Sequence, residues 1–480
     1  MARLWMVFAF LVLSTFAQAS DAPLSLPAPV RAPTDRSEYR RLVLENGLRV
    51  LLCSDPQLNR ASAALAIDAG WLDEPASRPG LAHFLEHMLF VGSTEKYANE
   101  ADYIAYIENN GGTCNGYTQS ASTIYPFEIR PEAFEGALDR FSQFFIAPLL
   151  DPSLTEREIN AVHSEAQRYT DDDLRRAARA QEEICRTGSP QQHFTVGNRE
   201  TLTGTTREEL LAFFRGHYVP ARMALVLRST HSLDQLETWA RKFFAAIPPG
   251  NPAPLHRPRD FLPDSGTPAL LRVEPLKDIR QLELQFVTDS SLPGWEAKTT
   301  ALLGKLIGYE GAGSLLAALK AEGLATALSA WSDAAVPSYD KFSITIELTP
   351  AGLAQVDHVL SLVFSEIELL RRSPFPAQRY EESSRLARLD EAWRERDESY
   401  LHTADLAAQC LRYPLAVAER VPFLWLKPDE ADYRRRLDAL RPENMLAMLM
   451  AKGLPTDRVE YFYGVQYSFG QDGLPPLATL

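Results

Sequence analysis

The 480-residue chain has few of the residues that build the commonest self-contained sites. Its four cysteines, Cys53, Cys114, Cys185 and Cys410, are scattered and form no C-x-x-C pair. That excludes a cysteine-based zinc module, and a chain of this length does not need disulfides to hold a fold. Positive charge is also short: 49 Lys and Arg stand against 63 Asp and Glu, a net charge of −14. No basic run is interleaved with aromatics, so a nucleic-acid-binding role is excluded. Beyond the N-terminus no apolar run reaches spanning length, which argues against stable membrane insertion. Histidine is scarce, nine in all, yet two of them, His83 and His87, stand only four residues apart.

The remaining composition, 45% hydrophobic and 23% charged, is that of a globular protein long enough for more than one core. The first residues read as an export signal. Arg3 supplies a positive flank, Leu4 to Phe16 a short apolar run, and Ala17-Gln18-Ala19 a small-x-small cleavage site. Residues 1–19 are therefore expected to be a signal peptide and the protein to be exported, periplasmic or secreted. Residues 20–37, rich in Pro, Ala and Ser, read as a flexible leader.

Strand and helix patterns start at Tyr39. Asn46-Gly47 between two apolar runs predicts a hairpin over Tyr39 to Cys53. Ala61 to Ala69 predicts a strand with Leu65 and Ile67 alternating, and Leu81 to Phe90 a largely buried helix after Pro79-Gly80. Thr123 to Ile129 reads as a strand and Pro131 to Phe145 as a helix. Another helix starts near Ser153, where Ser153 to Glu156 fits a capping box. Seven prolines crowd residues 247–268, the best linker candidate. Beyond it the strand–helix–strand–helix order repeats: Leu282 to Phe286, Thr299 to Ile307, Phe342 to Leu348 and Leu353 to Leu370. The expectation is an α+β protein of two related domains, 38–246 and 269–475.

The chemistry is concentrated in Gly80-Leu-Ala-His83-Phe-Leu-Glu86-His87-Met-Leu-Phe90, an H-x-x-E-H pattern. Positions i and i+4 of a helix lie one turn apart on one face, so His83 and His87 can offer two imidazoles to one metal ion. Glu86 projects near that face and can activate a water without ligating. Two histidines on an otherwise apolar helix need partners. Neutral imidazoles suit Zn²⁺ and leave room for a carboxylate and a water. The third ligand is sought in Glu156 to Glu165. There Glu158 and Glu165 are two turns apart on one face, one able to ligate while the other orients a histidine. Spacing does not say which, and His163 is a rival that sits off that face.

With these residues in place, the sequence strongly resembles the pitrilysin/insulinase family of zinc peptidases, in its insulin-degrading-enzyme-like branch. The resemblance is carried by H-F-L-E-H-M-L-F at 83–90, A-L-D-R-F-S-Q-F-F at 137–145 and R-E-I-N-A-V-H-S-E at 157–165. P-L-K-D-I-R at 275–280, L-I-G-Y-E-G-A-G-S-L-L at 306–316 and Y-G-V-Q-Y at 463–467 extend it over nearly the whole mature chain. The resemblance implies a zinc endopeptidase with one Zn²⁺ per chain held by His83, His87 and Glu165. It makes Glu86 the catalytic base and Glu158 the supporting acid. It implies that Asn115 and Gly116 line the catalytic cleft, and that Gly308, Glu310, Leu328 and Ala330 form a remote surface holding the substrate N-terminus. The fold it implies is a pair of α+β domains, each a mostly antiparallel sheet packed with helices. Members of this branch are about twice as long, which leaves three explanations: a separately encoded second half completes the peptide chamber, a homodimer does, or the chain is a truncated remnant. The alternative is a non-catalytic or partner-dependent subunit of a two-chain peptidase.

Overall fold

A computed structural model describes residues 26–91, 93–393, 397–472 and 474. The expected signal peptide, 1–19, lies outside the described residues, as do the first residues of the expected leader and residue 475 of the second domain. Among the described residues no helix is long and apolar enough to cross a membrane.

The first domain is built on a sheet of seven strands: β1 (Glu38–Val43), β2 (Arg49–Ser54), β3 (Ala61–Ile67), β4 (Thr113–Cys114), β5 (Tyr117–Thr118), β6 (Thr123–Ile129) and β7 (Met223–Ser229). They run in the order β1-β2-β7-β3-β6-β4, with β5 also on β6. The expected hairpin is β1–β2, antiparallel, with Gly47 at a φ of +92°. That conformation costs glycine nothing and other residues a steric penalty. Helices α1 (Leu81–Phe90), α2 (Asp102–Asn109) and α3 (Phe134–Ile146) bring Phe84, Tyr103 and Phe141 into one core with Leu65 and Phe127 of this sheet. The second domain carries β8 (Ala269–Val273), β9 (Arg280–Asp289), β10 (Ala325–Val336), β11 (Tyr339–Leu348), β12 (Met445–Ala451), β13 (Arg458–Val459) and β14 (Gln466–Gly470), in the order β10-β11-β9-β12-β8-β14-β13.

The duplication is visible in this topology. β2-β7-β3-β6-β4 in one sheet and β8-β12-β9-β11-β10 in the other are the same path, and each has a single parallel pair, β2–β7 and β8–β12. Both sheets are thus mixed and largely antiparallel. α1 follows β3 as the helix Thr299–Ile307 follows β9. The latter, TTALLGKLI, carries no histidine or carboxylate, so among the described residues this set of donors is found in the first domain.

β3 departs from the expected alternation: all seven residues are buried. The reason is long-range. The helix Tyr400–Arg412, from the second domain's sequence, covers the far face of the first sheet, packing Ala404, Ala407 and Cys410 against Leu51, Ala64 and Val226. A buried Ser62–Thr403 hydroxyl pair at 2.7 Å seals the contact. The exchange is reciprocal: Ala177, Ala180 and Ile184 of the first domain cover Leu271, Val273 and Met448 of the second sheet. Each sheet therefore buries one face with helices of its own domain and the other with a helix lent by its neighbour.

The proline-rich stretch 247–268 is strapped down. Arg257 pairs with Asp68 at 2.6 Å and Asp73 at 2.7 Å, and Phe261 packs with Leu72, Val287 and Tyr339. The described part of the leader, 26–37, also lies on the body rather than free of it. Leu26 packs beside Trp295 and Val421, and Arg420 donates to the carbonyl of Pro27 at 2.9 Å.

Candidate metal centre and catalytic cleft

α1 owes its placement to its N-terminus. Gly80 caps it at a φ of +88°, its α-carbon pressed against Gly197. The buried Glu74 carboxylate accepts from Gly80 N at 2.8 Å and Ala82 N at 3.2 Å, satisfying amides that a helix start leaves unpaired. Phe84, Leu85, Met88 and Leu89 point into the first core, and His83, Glu86 and His87 face a cleft.

α4 (Thr155–Arg168) crosses α1. The capping box expected at Ser153–Glu156 does not form. Pro152 starts a single 3-10 turn instead, and Asp151 accepts from Ser153 N at 2.9 Å. The helix proper begins at Thr155, which leaves the face carrying Glu158 and Glu165 intact.

These two helices bring the expected residues together. Ligand atoms of His83, His87 and Glu165 lie within 4.8 Å of one another, the one such group among the described residues. Glu165 Oε2 is 3.6 Å from His83 Nε2 and 3.4 Å from His87 Nε2. The other ring nitrogens are held from behind: His83 Nδ1 by the carbonyl of Val196 at 2.8 Å, and His87 Nδ1 by Glu158 Oε2 at 3.6 Å. A backbone carbonyl or a carboxylate behind each ring favours a proton on Nδ1 and leaves Nε2 facing Glu165. His163 is not in the group; its Nδ1 is buried without a hydrogen-bond partner.

The electrostatics match the geometry. Burial would lower the His87 pKa, but Glu158 and Glu165 outweigh it and raise it to about 9. The bond from His87 holds Glu165 down at about 2, against a burial cost. Burial raises Glu86, and His83, Thr118 and His87 partly offset it. Glu86 is only 5% exposed, and its Oε2 accepts from Thr118 Oγ1 at 2.8 Å. Two imidazole nitrogens and one carboxylate oxygen, converging with a protected carboxylate beside them, form a donor set that fits a divalent cation with a position left open.

Asn115 and Gly116 line the same cleft, which has a volume of about 760 Å³. Gly116 lies flush against Glu86 and Phe90, where a side chain would press on both. Gly308, Glu310, Leu328 and Ala330 gather elsewhere, around a separate groove of about 520 Å³ beside the edge strand β10. The Leu328 side chain is buried, while Trp331 of the same strand, 49% exposed, also lines the groove.

Four contributors escape a reading of sequence patterns. Thr118 sits inside C-N-G-Y-T but nothing local announces its bond to Glu86. Tyr169 donates to Glu165 Oε1 at 2.6 Å, and its i+4 spacing from Glu165 is a usable signal. Glu74 and the Val196 carbonyl have no local signature.

The chain is similar to known peptidases along most of its length. Residues 49–188 match the family description Insulinase (Peptidase family M16), and residues 205–386 match Peptidase M16 inactive domain. The chain is 35% identical over 444 residues to the A-factor-processing enzyme of Saccharomyces cerevisiae, covering 90% of this chain and 43% of that protein. It is 34% identical over 457 residues to the insulin-degrading enzyme of Mus musculus, covering 93% and 44%. The chain thus spans less than half the length of these relatives. Among solved structures, pitrilysin superposes with a TM-score of 0.89 at 27% identity, covering 95% of this chain and 49% of that one. A Helicobacter pylori protease superposes at 0.68 and 16%, covering 86% of this chain and 99% of that one, a likeness of fold alone.

Proposed function

We propose, from the premise that this chain belongs to the insulinase family of peptidases, family M16, that it is a zinc-dependent endopeptidase acting on peptides or small unfolded proteins. The observation that carries the reading is the convergence of His83, His87 and Glu165 within 4.8 Å, with the buried Glu86 beside them on the wall of an open cleft.

His83 Nε2, His87 Nε2 and Glu165 Oε2 would hold one Zn²⁺ per chain, and Glu158 and the Val196 carbonyl would keep the two rings turned toward it. When bound, zinc supplies Lewis acidity toward the scissile carbonyl and makes water more acidic. Every other step falls to the protein. Thr118 ties down Glu86 Oε2, leaving Oε1 to take a proton from the attacking water and return it to the leaving amine nitrogen. Burial raises the Glu86 pKa toward the range where a carboxylate serves as both base and acid. A substrate laid as an extended strand along Asn115 and Gly116 would bind through backbone hydrogen bonds, a mode that tolerates many side chains. The groove of Gly308, Glu310, Leu328 and Ala330 is read as a hold for the substrate's N-terminal end.

Arg3, the apolar run Leu4 to Phe16 and the Ala17-Gln18-Ala19 site support export. The relatives' greater length supports a second reading, in which a separately encoded half or a second copy is needed for full activity. The test is to assay the mature chain against a quenched fluorescent peptide with zinc, with a chelator, and with a candidate partner chain. Zinc-dependent cleavage by the chain alone is the expected result. Cleavage only with the partner would favour the second reading, and none in any mixture would remove the peptidase assignment.

A further inference from the structure

Tyr169 opens the 3-10 turn Tyr169–Asp171 that ends α4, and its hydroxyl donates to Glu165 Oε1 at 2.6 Å. The other oxygen, Oε2, is the one facing both imidazoles. The carboxylate is therefore divided: one oxygen is committed to Tyr169 and one is left for the ion. The Arg175 guanidinium lies 4.6 Å from the centre of the Tyr169 ring, a stacking distance that restrains the ring's orientation.

The turn is not free to choose its own position. α5 (Asp173–Glu183) follows it directly and is fastened to the second domain. Asp173 accepts from Leu276 N at 2.5 Å and Lys277 N at 2.9 Å. The buried Arg176 Nη1 donates both to the carbonyl of Thr170, next in the chain to Tyr169, at 3.2 Å, and to the carbonyl of Tyr463 at 2.8 Å. Arg179 continues the attachment with a buried pair to Glu460 at 3.0 Å. A series of hydrogen bonds and one peptide link thus runs from the loop between β13 and β14 of the second domain, through Arg176, Thr170 and Tyr169, to the Glu165 carboxylate.

We infer that Tyr169 is a positioning residue that holds Glu165 in a single-oxygen orientation, and that the second domain fixes Tyr169 through Arg176. The inference rests on the zinc-site reading above. It gives the second domain, where no converging donor group is found among the described residues, a direct role in the site: it sets where the third ligand stands.

The experiment is zinc affinity by chelator competition, with the absorption spectrum of the Co²⁺-substituted protein as a second readout. Tyr169→Phe keeps the ring and its stacking on Arg175 and removes only the hydroxyl. Loss of such a supporting partner should weaken zinc binding about 10–100-fold and alter the Co²⁺ bands, because Glu165 Oε1 becomes free to reach the ion. Arg176→Gln should weaken zinc binding in the same direction. Folding is controlled by reading the zinc-induced rise in Tm within each variant, with Asp173→Asn replacing Arg176→Gln if the latter does not fold. Zinc affinity within threefold of wild type and an unchanged Co²⁺ spectrum in Tyr169→Phe would overturn the inference. A loss in Tyr169→Phe with none in Arg176→Gln or Asp173→Asn would overturn the role of the second domain. A wild-type chain that binds no zinc would instead remove the site reading itself, a distinguishable outcome.

Discussion

Thr118→Val isolates the side-chain hydrogen bond from Thr118 to the proposed base. Valine keeps the shape of threonine, and the short strand Tyr117–Thr118 keeps its backbone pairing with β6. What disappears is the 2.8 Å bond from Thr118 Oγ1 to Glu86 Oε2. That donor favours the charged carboxylate, so removing it moves the Glu86 pKa further up, in the direction burial already pushes it. A hydrogen bond to a charged group contributes about 1.5–3 kcal/mol, and one pKa unit is about 1.36 kcal/mol. The shift should therefore be about one to two units. Glu86 must be ionised to accept a proton, so the acid limb of the kcat/KM profile should move up by the same amount. One unit below the wild-type midpoint the variant should be about tenfold slower or worse, by the factor of ten per unit that the limb implies. Well above both midpoints it should stay within about twofold of wild type. The assay is the pH dependence of kcat/KM on a fluorogenic peptide. An acid limb that does not move would refute the idea that Thr118 tunes the base.

His83→Ala should abolish zinc binding, read as metal content after dialysis, while the apolar face of α1 keeps the fold. In metal-free protein the His87 pKa is raised from 6.5 to about 9 and the Glu165 pKa lowered from 4.5 to about 2. The His87 contribution to stability is therefore complete below pH 6.5 and lost as pH rises through about 9. The Glu165 contribution is present above pH 4.5 and lost as pH falls through about 2. The metal-free Tm should fall between pH 6.5 and 9, and His87→Ala should flatten that segment. Arg257→Met leaves the Asp73 carboxylate, which has 0% side-chain exposure, without its ion pair. It should cost about 3–5 kcal/mol in denaturant unfolding. Leu406→Ala, at a helix position only 1% exposed against the neighbouring domain's sheet, should cost about 2–5 kcal/mol by the same measurement.

The parts of the site legible in the sequence are those written in helical periodicity. His83 and His87 one turn apart, and Glu158 and Glu165 two turns apart, are local statements that the fold preserves. The periodicity leaves the roles of the two glutamates open, because both lie on the same face. The structure distinguishes them by distance: Glu165 reaches both Nε2 atoms, and Glu158 sits behind the Nδ1 of His87. The illegible parts depend on contacts between residues far apart in sequence. The carbonyl behind His83 comes from Val196. β3 loses its alternation because a helix from residues 400–412 covers its second face. The start of α4 differs from expectation for a local reason: Asp151 and Pro152 form a turn ahead of the helix, displacing the cap from Ser153. The repeat is faint as a sequence signal but plain as strand order, since topology survives after side chains diverge.

The central claim is that one helix and one later carboxylate hold a metal ion beside a buried base. It is tested most directly by comparing wild type with Glu86→Gln for zinc content and peptide cleavage in parallel. The account predicts about one zinc per chain in both proteins and cleavage in wild type alone. Normal cleavage by Glu86→Gln, or a wild-type chain that cleaves peptides equally well after its zinc is removed, would contradict it.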